Sequence, residues 1–180
     1  MTCRKATALS RNDIRSMVYV LRCKIGLEEC LEFPIVQFVE NVLHLLVPDF
    51  TLEIVPKEKM PDKHGETFPT RKLIRIREDV YLGAVRGNGR DRLTIAHEIA
   101  HLFLHADSIS LCRLEPGQEL KPYEDPEWQA NAFAGELLAP SYLIMELSPY
   151  EVHMRFHVSM DAAKVQLRTL QTHPIASHRH

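Results

Sequence analysis

Two histidines four residues apart frame a glutamate in the stretch Thr94-Ile95-Ala96-His97-Glu98-Ile99-Ala100-His101. A helix turns every 3.6 residues, so an i, i+4 pair projects from one face, one turn apart. Both imidazoles can therefore reach one metal ion. Glu98 follows the first histidine at the edge of that face, where it can hold a water without ligating the ion. His-Glu-x-x-His is the arrangement a zinc hydrolase needs.

A catalytic zinc site takes three protein ligands and keeps one position open. His105, four residues past His101, is the local rival for third place. A straight helix separates His97 from His105 by about 12 Å along its axis, too far for ligands that each sit about 2 Å from one ion. His105 reads instead as a helix-end residue, favourable to the dipole when charged. Glu127 is the better candidate, in Glu127-Trp128-Gln129-Ala130-Asn131-Ala132-Phe133-Ala134. Glu127 and Asn131 share one helix face, and Ala130 and Ala134 are small enough for close packing against the histidine helix. A glutamate from a second helix gives a His2Glu set, with Asn131 placed to hydrogen-bond a ligand histidine. On spacing alone the plainer readings carry more weight: a first-turn charge at Glu127 and a solvated amide at Asn131.

The elements that must position these residues follow from hydrophobic period and punctuation. Ser10 and Asp13 suggest a capping box for a helix to Lys24, with Ile14, Met17, Val18 and Leu21 as its apolar stripe. A second helix is expected from Phe33 to Val47, with Pro34 in its first turn, Pro48 as its stop, and Val36, Val39, Leu43 and Leu46 at helical spacing. Thr51–Val55 alternates and reads as a strand, as do His64–Phe68 and Leu73–Arg77. Gly87-Asn88-Gly89 reads as a turn, since a lone GxG lacks the rest of a phosphate loop. The His97 helix is expected from near Arg90 to near His105. Asp107–Glu124 reads as a long loop. Asp125-Pro126 then supplies an N-cap and a proline at the first helical position of a helix that runs to about Leu138. Ser148-Pro149 and Ser159 open two further helices, and His173–His180 is expected to fray. The plan is two helices, a small sheet, then a helical half.

The chain has 180 residues, 45% of them hydrophobic and 26% charged, with a net charge of −2. That length supports a real core, and that charge gives no electrostatic reason for nucleic acid or an acidic membrane as the main partner. Cys3, Cys23, Cys30 and Cys112 form no CxxC pair and read as free thiols of a reducing compartment. No export signal is visible, because Ser10-Arg11-Asn12-Asp13 stands where an apolar stretch belongs. The most apolar window, Phe33–Val47, is too short and too polar to span a bilayer. The expected location is the cytoplasm.

Two motifs in order, Arg92-x-Thr94-x-Ala96-His97-Glu98-x-x-His101 and Glu127-x-x-Ala130-Asn131-x-Phe133-Ala134-x-x-Leu137-Leu138-x-Pro140, resemble those of the ImmA/IrrE family of metallopeptidases. Gly87–Arg92 and Phe156–Ser159 are similar too, and the resemblance covers roughly Thr51 to Leu170. It implies an α+β fold, with a small sheet of about three strands on a helical zincin-like core. Residues 1–147 would form the metallopeptidase domain, and residues 148–180 a helical extension packed on it. It further implies that His97, His101 and Glu127 bind one Zn2+ and that Glu98 is the catalytic acid/base. Alanine at position 100 departs from the glycine common in the family, and it favours helix. The implied substrate is a protein, a helix-turn-helix repressor or antitoxin whose cleavage relieves repression.

Under this reading Glu98 takes the proton of an attacking water and passes it to the leaving amine. An exposed edge near Leu73–Arg77 would bind substrate as an added strand. Tyr81, His105 and Tyr123 are candidates for stabilising the oxyanion. A non-cleaving regulator that binds a repressor, and a zinc hydrolase acting on another bond, share the same features. The helices from Ser148 to Leu170 have a helix-turn-helix look. Their positive charges, Arg155, Lys164 and Arg168, are a weak footprint for DNA, and ordinary packing on the core is the favoured reading.

Overall fold

The computed structural model describes residues 2–106, 110–113 and 120–174, with the backbone alone for 2–4 and 110–113. Helix α1 (Arg11–Lys24) opens on a capping box in which the Ser10 side chain accepts from the Asp13 amide and Asp13 accepts from the Ser10 amide. Its buried face holds Ile14 and Val18, whereas Met17 is 40% exposed. Arg22 completes that face. It is fully enclosed, donates to the Leu137 carbonyl at 2.7 Å and stacks over Phe33. A buried charge needs such partners, and here they tie α1 to the far end of the helix that carries Glu127.

The single helix expected over Phe33–Val47 is instead three pieces: α2 (Ile35–Gln37), a π-helical turn (Phe38–Val42) and α3 (Leu43–Leu46). Pro34 takes the N-cap position. The Leu43 amide donates to the Phe38 carbonyl, an i→i+5 bond. The wider turn rotates everything after it, so Leu43 stays buried while Leu46 is 38% exposed.

The sheet holds β2 (Thr51–Val55), β3 (Gly65–Phe68) and β4 (Leu73–Arg77) in the order β2-β4-β3. β2 runs parallel to β4 and β3 antiparallel to it. The fold is α+β with a mixed three-stranded sheet. Leu73–Arg77 is the central strand, paired on both sides, so it offers no open edge; among the described residues the edge strands of this sheet are β2 and β3. The physical sign is the near-continuous burial of β4, where Leu73, Ile74, Ile76 and Arg77 are all covered, as in strands enclosed on both faces. Two further strands, β1 (Thr2–Lys5) and β5 (Ser110–Arg113), form an antiparallel ribbon that sets the backbones of Cys3 and Cys112 opposite each other. β5 therefore replaces part of the loop expected over Asp107–Glu124, of which residues 107–109 and 114–119 lie outside the described residues. Of the terminus expected to fray, residues 175–180 lie outside them too.

β4 leads without a turn into α4 (Glu78–Val85), which is too short to display a helical period. The core helix α5 (Gly89–Leu104) follows. Asn88 caps it by accepting from the Arg90 and Asp91 amides. Gly87 adopts a positive φ of 83°, as the turn requires. Gly89 serves a second purpose: a Cβ there would lie 2.4 Å from the Ser159 nitrogen, so only glycine admits the backbone that packs against it. Helix α6 (Pro126–Leu138) lies along α5, with Ile95, Ile99, Ala130, Ala134 and Leu137 all fully buried. Short α7 (Ser141–Ile144), α8 (Pro149–Phe156) and α9 (Met160–Thr172) complete the helical half. α8 and α9 bury Val152, Phe156, Val158 and Ala163, and Gln166 donates to the Ala139 carbonyl just past α6.

Candidate metal centre

On α5, His97 and His101 project from one face with their ring centroids 4.7 Å apart and their Nε2 atoms 3.0 Å apart. On α6, Asp125 accepts from the Glu127 amide at 2.9 Å and Pro126 occupies the first turn, so the chain enters the helix with Glu127 facing α5. Small buried residues, Ala96 and Ala100 against Ala130 and Ala134, let the two helices approach. The Glu127 carboxylate then spans both rings, at 3.3 Å from His97 Nε2 and 3.4 Å from His101 Nε2. Ligating-type atoms of the three residues all lie within 4.8 Å of one another.

These separations can be tested against a cation. Four ligands placed tetrahedrally at about 2.0–2.1 Å from zinc stand about 3.3 Å apart. Neutral imidazoles presenting Nε2 to each other oppose two lone pairs, and a cation between them turns that repulsion into two bonds. Asn131 supports this tautomer at His97. Its Oδ1 lies 3.0 Å from His97 Nδ1, where it accepts a hydrogen bond from a protonated Nδ1 and leaves Nε2 bare. The donor set fits a divalent transition ion.

Glu98 lies beside this cluster but turns to the sheet. Thr67 on β3 places its hydroxyl 2.6 Å from Glu98 Oε2 and 2.9 Å from the Glu98 carbonyl. The shorter contact, to a carboxylate, is the stronger, charge-assisted one. Gly65, two residues earlier, presses on the same side chain: a Cβ there would lie 2.7 Å from Glu98 Cγ. Glu98 as a whole is 7% exposed. Burial pushes its pKa above the ordinary carboxylate range, against the lowering effect of the Thr67 hydrogen bond and His97. A carboxylate whose pKa is raised is a stronger base than an ordinary one. Glu98, His97, His101 and Glu127 line one cleft of about 420 Å³, whose opposite wall is Lys63 to Thr67.

His105 is not the charged helix-end residue its position suggests. It is 3% exposed, and burial lowers its pKa. Its Nδ1 meets His101 Nδ1 at 2.9 Å and its Nε2 meets Gln129 Oε1 at 3.0 Å. None of the three oxyanion candidates lines the cleft. Tyr81 donates to Glu40 on another face, His105 lies behind His101, and Tyr123 offers its carbonyl to Gln129. The polar side chains along the cleft are instead Lys63, His64, Glu66, Thr67 and Thr94. Gly65, Thr67, His64 and Gln129 carry no signal in sequence that marks them as site residues.

An α+β fold with a His-Glu-x-x-His helix, and a glutamate delivered beside it from the next long helix, defines the metallohydrolase type of protein. The comparison with protein families makes this specific. The chain belongs to the M78 peptidase family: the model described as the IrrE N-terminal-like domain matches residues 44–168, a span that holds His97, Glu98, His101, Glu127 and Asn131. A comparison with curated proteins finds no match. Among the described residues no helix is long and apolar enough to cross a membrane.

Proposed function

We propose that this chain is a zinc-dependent endopeptidase whose substrate is a helix-turn-helix repressor or antitoxin, and whose cleavage of it relieves repression. The observation that carries the reading is the juxtaposition of Glu98, buried and bound by Thr67, with the convergent nitrogens and carboxylate of His97, His101 and Glu127. In this reading the latter three hold one zinc ion. When bound, the ion supplies Lewis-acid chemistry, acidifying water and polarising a scissile carbonyl. Glu98 takes the proton of the attacking water through the carboxylate oxygen that Thr67 leaves open, then delivers it to the departing amine. The open edge of β3 runs along the same cleft, and an extended substrate segment adds to it by main-chain hydrogen bonds. Asn131 keeps His97 in the tautomer that presents Nε2.

The direct test is Glu98→Gln, assayed with zinc and a helix-turn-helix repressor as substrate, taken from a neighbouring gene where one is encoded. The variant should bind zinc like the wild type and cleave nothing. Full cleavage by the variant would end the mechanism. A repressor bound intact by both proteins would replace the peptidase with a binding regulator. Glu127→Ala should lose zinc on elemental analysis, and unchanged stoichiometry would move the third ligand elsewhere.

A further inference from the structure

Gln129 is fully buried on α6, and its surroundings accept its amide in only one orientation. One terminal atom lies 2.8 Å from the Thr7 carbonyl and 2.8 Å from the Tyr123 carbonyl. Two carbonyl oxygens require a donor, so that atom is Nε2 and Oε1 points the other way. Oε1 meets His105 Nε2 at 3.0 Å. An amide oxygen only accepts, so His105 carries its proton on Nε2. The ring is buried and Gln129 beside it is uncharged, so the neutral form is the one that fits. Its Nδ1 is then a bare acceptor, facing His101 Nδ1 at 2.9 Å. Only His101 can supply the proton for that contact. His101 is left with a bare Nε2, the atom that faces His97 and Glu127.

We propose that His105 and Gln129 are positioning residues that set the tautomer and ring plane of His101, with the carbonyls of Thr7 and Tyr123 as the fixed end of the chain. Each hydrogen bond in the series dictates the next. The two carbonyls orient the amide, the amide orients His105, and His105 orients His101. Asn131 does the corresponding work for His97 in a single step. The last step, presentation of His101 Nε2 to an ion, rests on the metal reading above. The tautomer of His105, fixed through Gln129 by two carbonyls, does not.

The test is long-range proton–nitrogen NMR on the full chain labelled at histidine, without metal and with one equivalent of zinc. His105 should be protonated at Nε2 in both samples, and zinc should bind His101 at Nε2 and leave its proton on Nδ1. A proton on Nδ1 of His105, or zinc at Nδ1 of His101, overturns the proposal. The expected His105 tautomer in a chain that takes up no zinc would sustain it and sink the metal reading instead. Chelator competition gives a second measurement. His105→Leu should weaken zinc binding by about 10–100-fold, the usual cost of losing such a partner. His105→Gln can accept from His101 and donate to Gln129, and should recover most of that loss. Equal affinity of His105→Leu and the wild type would overturn the positioning role, as would equal weakening in both variants.

Discussion

Gly65→Ala probes how closely β3 grips Glu98, and it needs no substrate. An added Cβ would lie 2.7 Å from Glu98 Cγ, 2.8 Å from Oε1 and 3.0 Å from Cδ. All three atoms belong to one side chain, so Glu98 must move to relieve the contact. Moving it breaks the 2.6 Å bond from Thr67. A hydrogen bond to a charged group contributes about 1.5–3 kcal/mol, and overpacking a core costs about 1–3 kcal/mol. The two describe the same event, so the expected loss is about 1–3 kcal/mol. In a domain of this size that lowers Tm by about 2–12 °C, at 2–4 °C per kcal/mol.

The attribution is checked by a double-mutant cycle with Glu98→Ala, using urea unfolding of the four proteins in a metal chelator. Removing Glu98 beyond Cβ removes every atom that the new methyl group meets within 3 Å. Gly65→Ala should then be neutral to within about 0.5 kcal/mol, which leaves a coupling of about 1–3 kcal/mol. The effect of alanine on the unfolded chain cancels around the cycle. Equal destabilisation in both backgrounds would place the strain in the β3 backbone, and no destabilisation in either would mean that β3 does not touch Glu98. Both results refute the packing described.

Other expectations are more easily stated. Thr67→Val should lower kcat by about 10–100-fold, from the 1.5–3 kcal/mol of a charge-assisted bond, while Thr67→Ser keeps activity; a valine variant of wild-type kcat would remove Thr67 from the mechanism. Gly89→Ala sets a methyl group 2.4 Å from the Ser159 nitrogen and 2.5 Å from the Val158 carbonyl carbon. Backbone cannot swing aside, so the loss should reach the upper end of overpacking, about 3 kcal/mol, and an unchanged Tm would separate the α8–α9 connection from α5. Asp13 and Glu151 are held below the usual carboxylate range by hydrogen bonds from Ser10 and Ser148. The stability they contribute is therefore complete above the unfolded pKa and is lost as pH falls through the lowered folded values. Asp13→Asn and Glu151→Gln should flatten the acid limb of stability against pH, and an unaltered limb would count against both caps.

What was legible in sequence, and what was not, divides by the range of the interaction. The i, i+4 spacing places His97 and His101 together whatever surrounds them, and Asp125-Pro126 starts α6 at the right residue to aim Glu127. Those are properties of single helices. Strand order is not: Leu73–Arg77 reads as a strand from its own residues, but its central place depends on partners at Thr51–Val55 and Gly65–Phe68. The π-helical turn after Gln37 likewise shifts the phase of an apolar stripe that a 3.6-residue count treats as continuous. His105 reads as a charged helix-end residue because its partner Gln129, itself held by the Thr7 carbonyl 122 positions upstream of that glutamine, leaves no mark in the local sequence.

The same division bears on which part of the site makes a catalyst. The convergence of donors follows from two helices and small residues between them, and any protein with that packing could hold an ion there. The environment of Glu98 comes from elsewhere. Thr67 and Gly65 sit 31 and 33 positions upstream, on an edge strand that lines the cleft. Burial is the largest influence on the Glu98 carboxyl, and it raises the pKa of a group that would otherwise be an ordinary surface acid at the edge of a helix face. In the proposed mechanism the same strand shapes the proton acceptor and presents the edge on which a substrate would lie, so substitutions in β3 should alter substrate binding and proton transfer together, while substitutions at Glu127 alter metal content first.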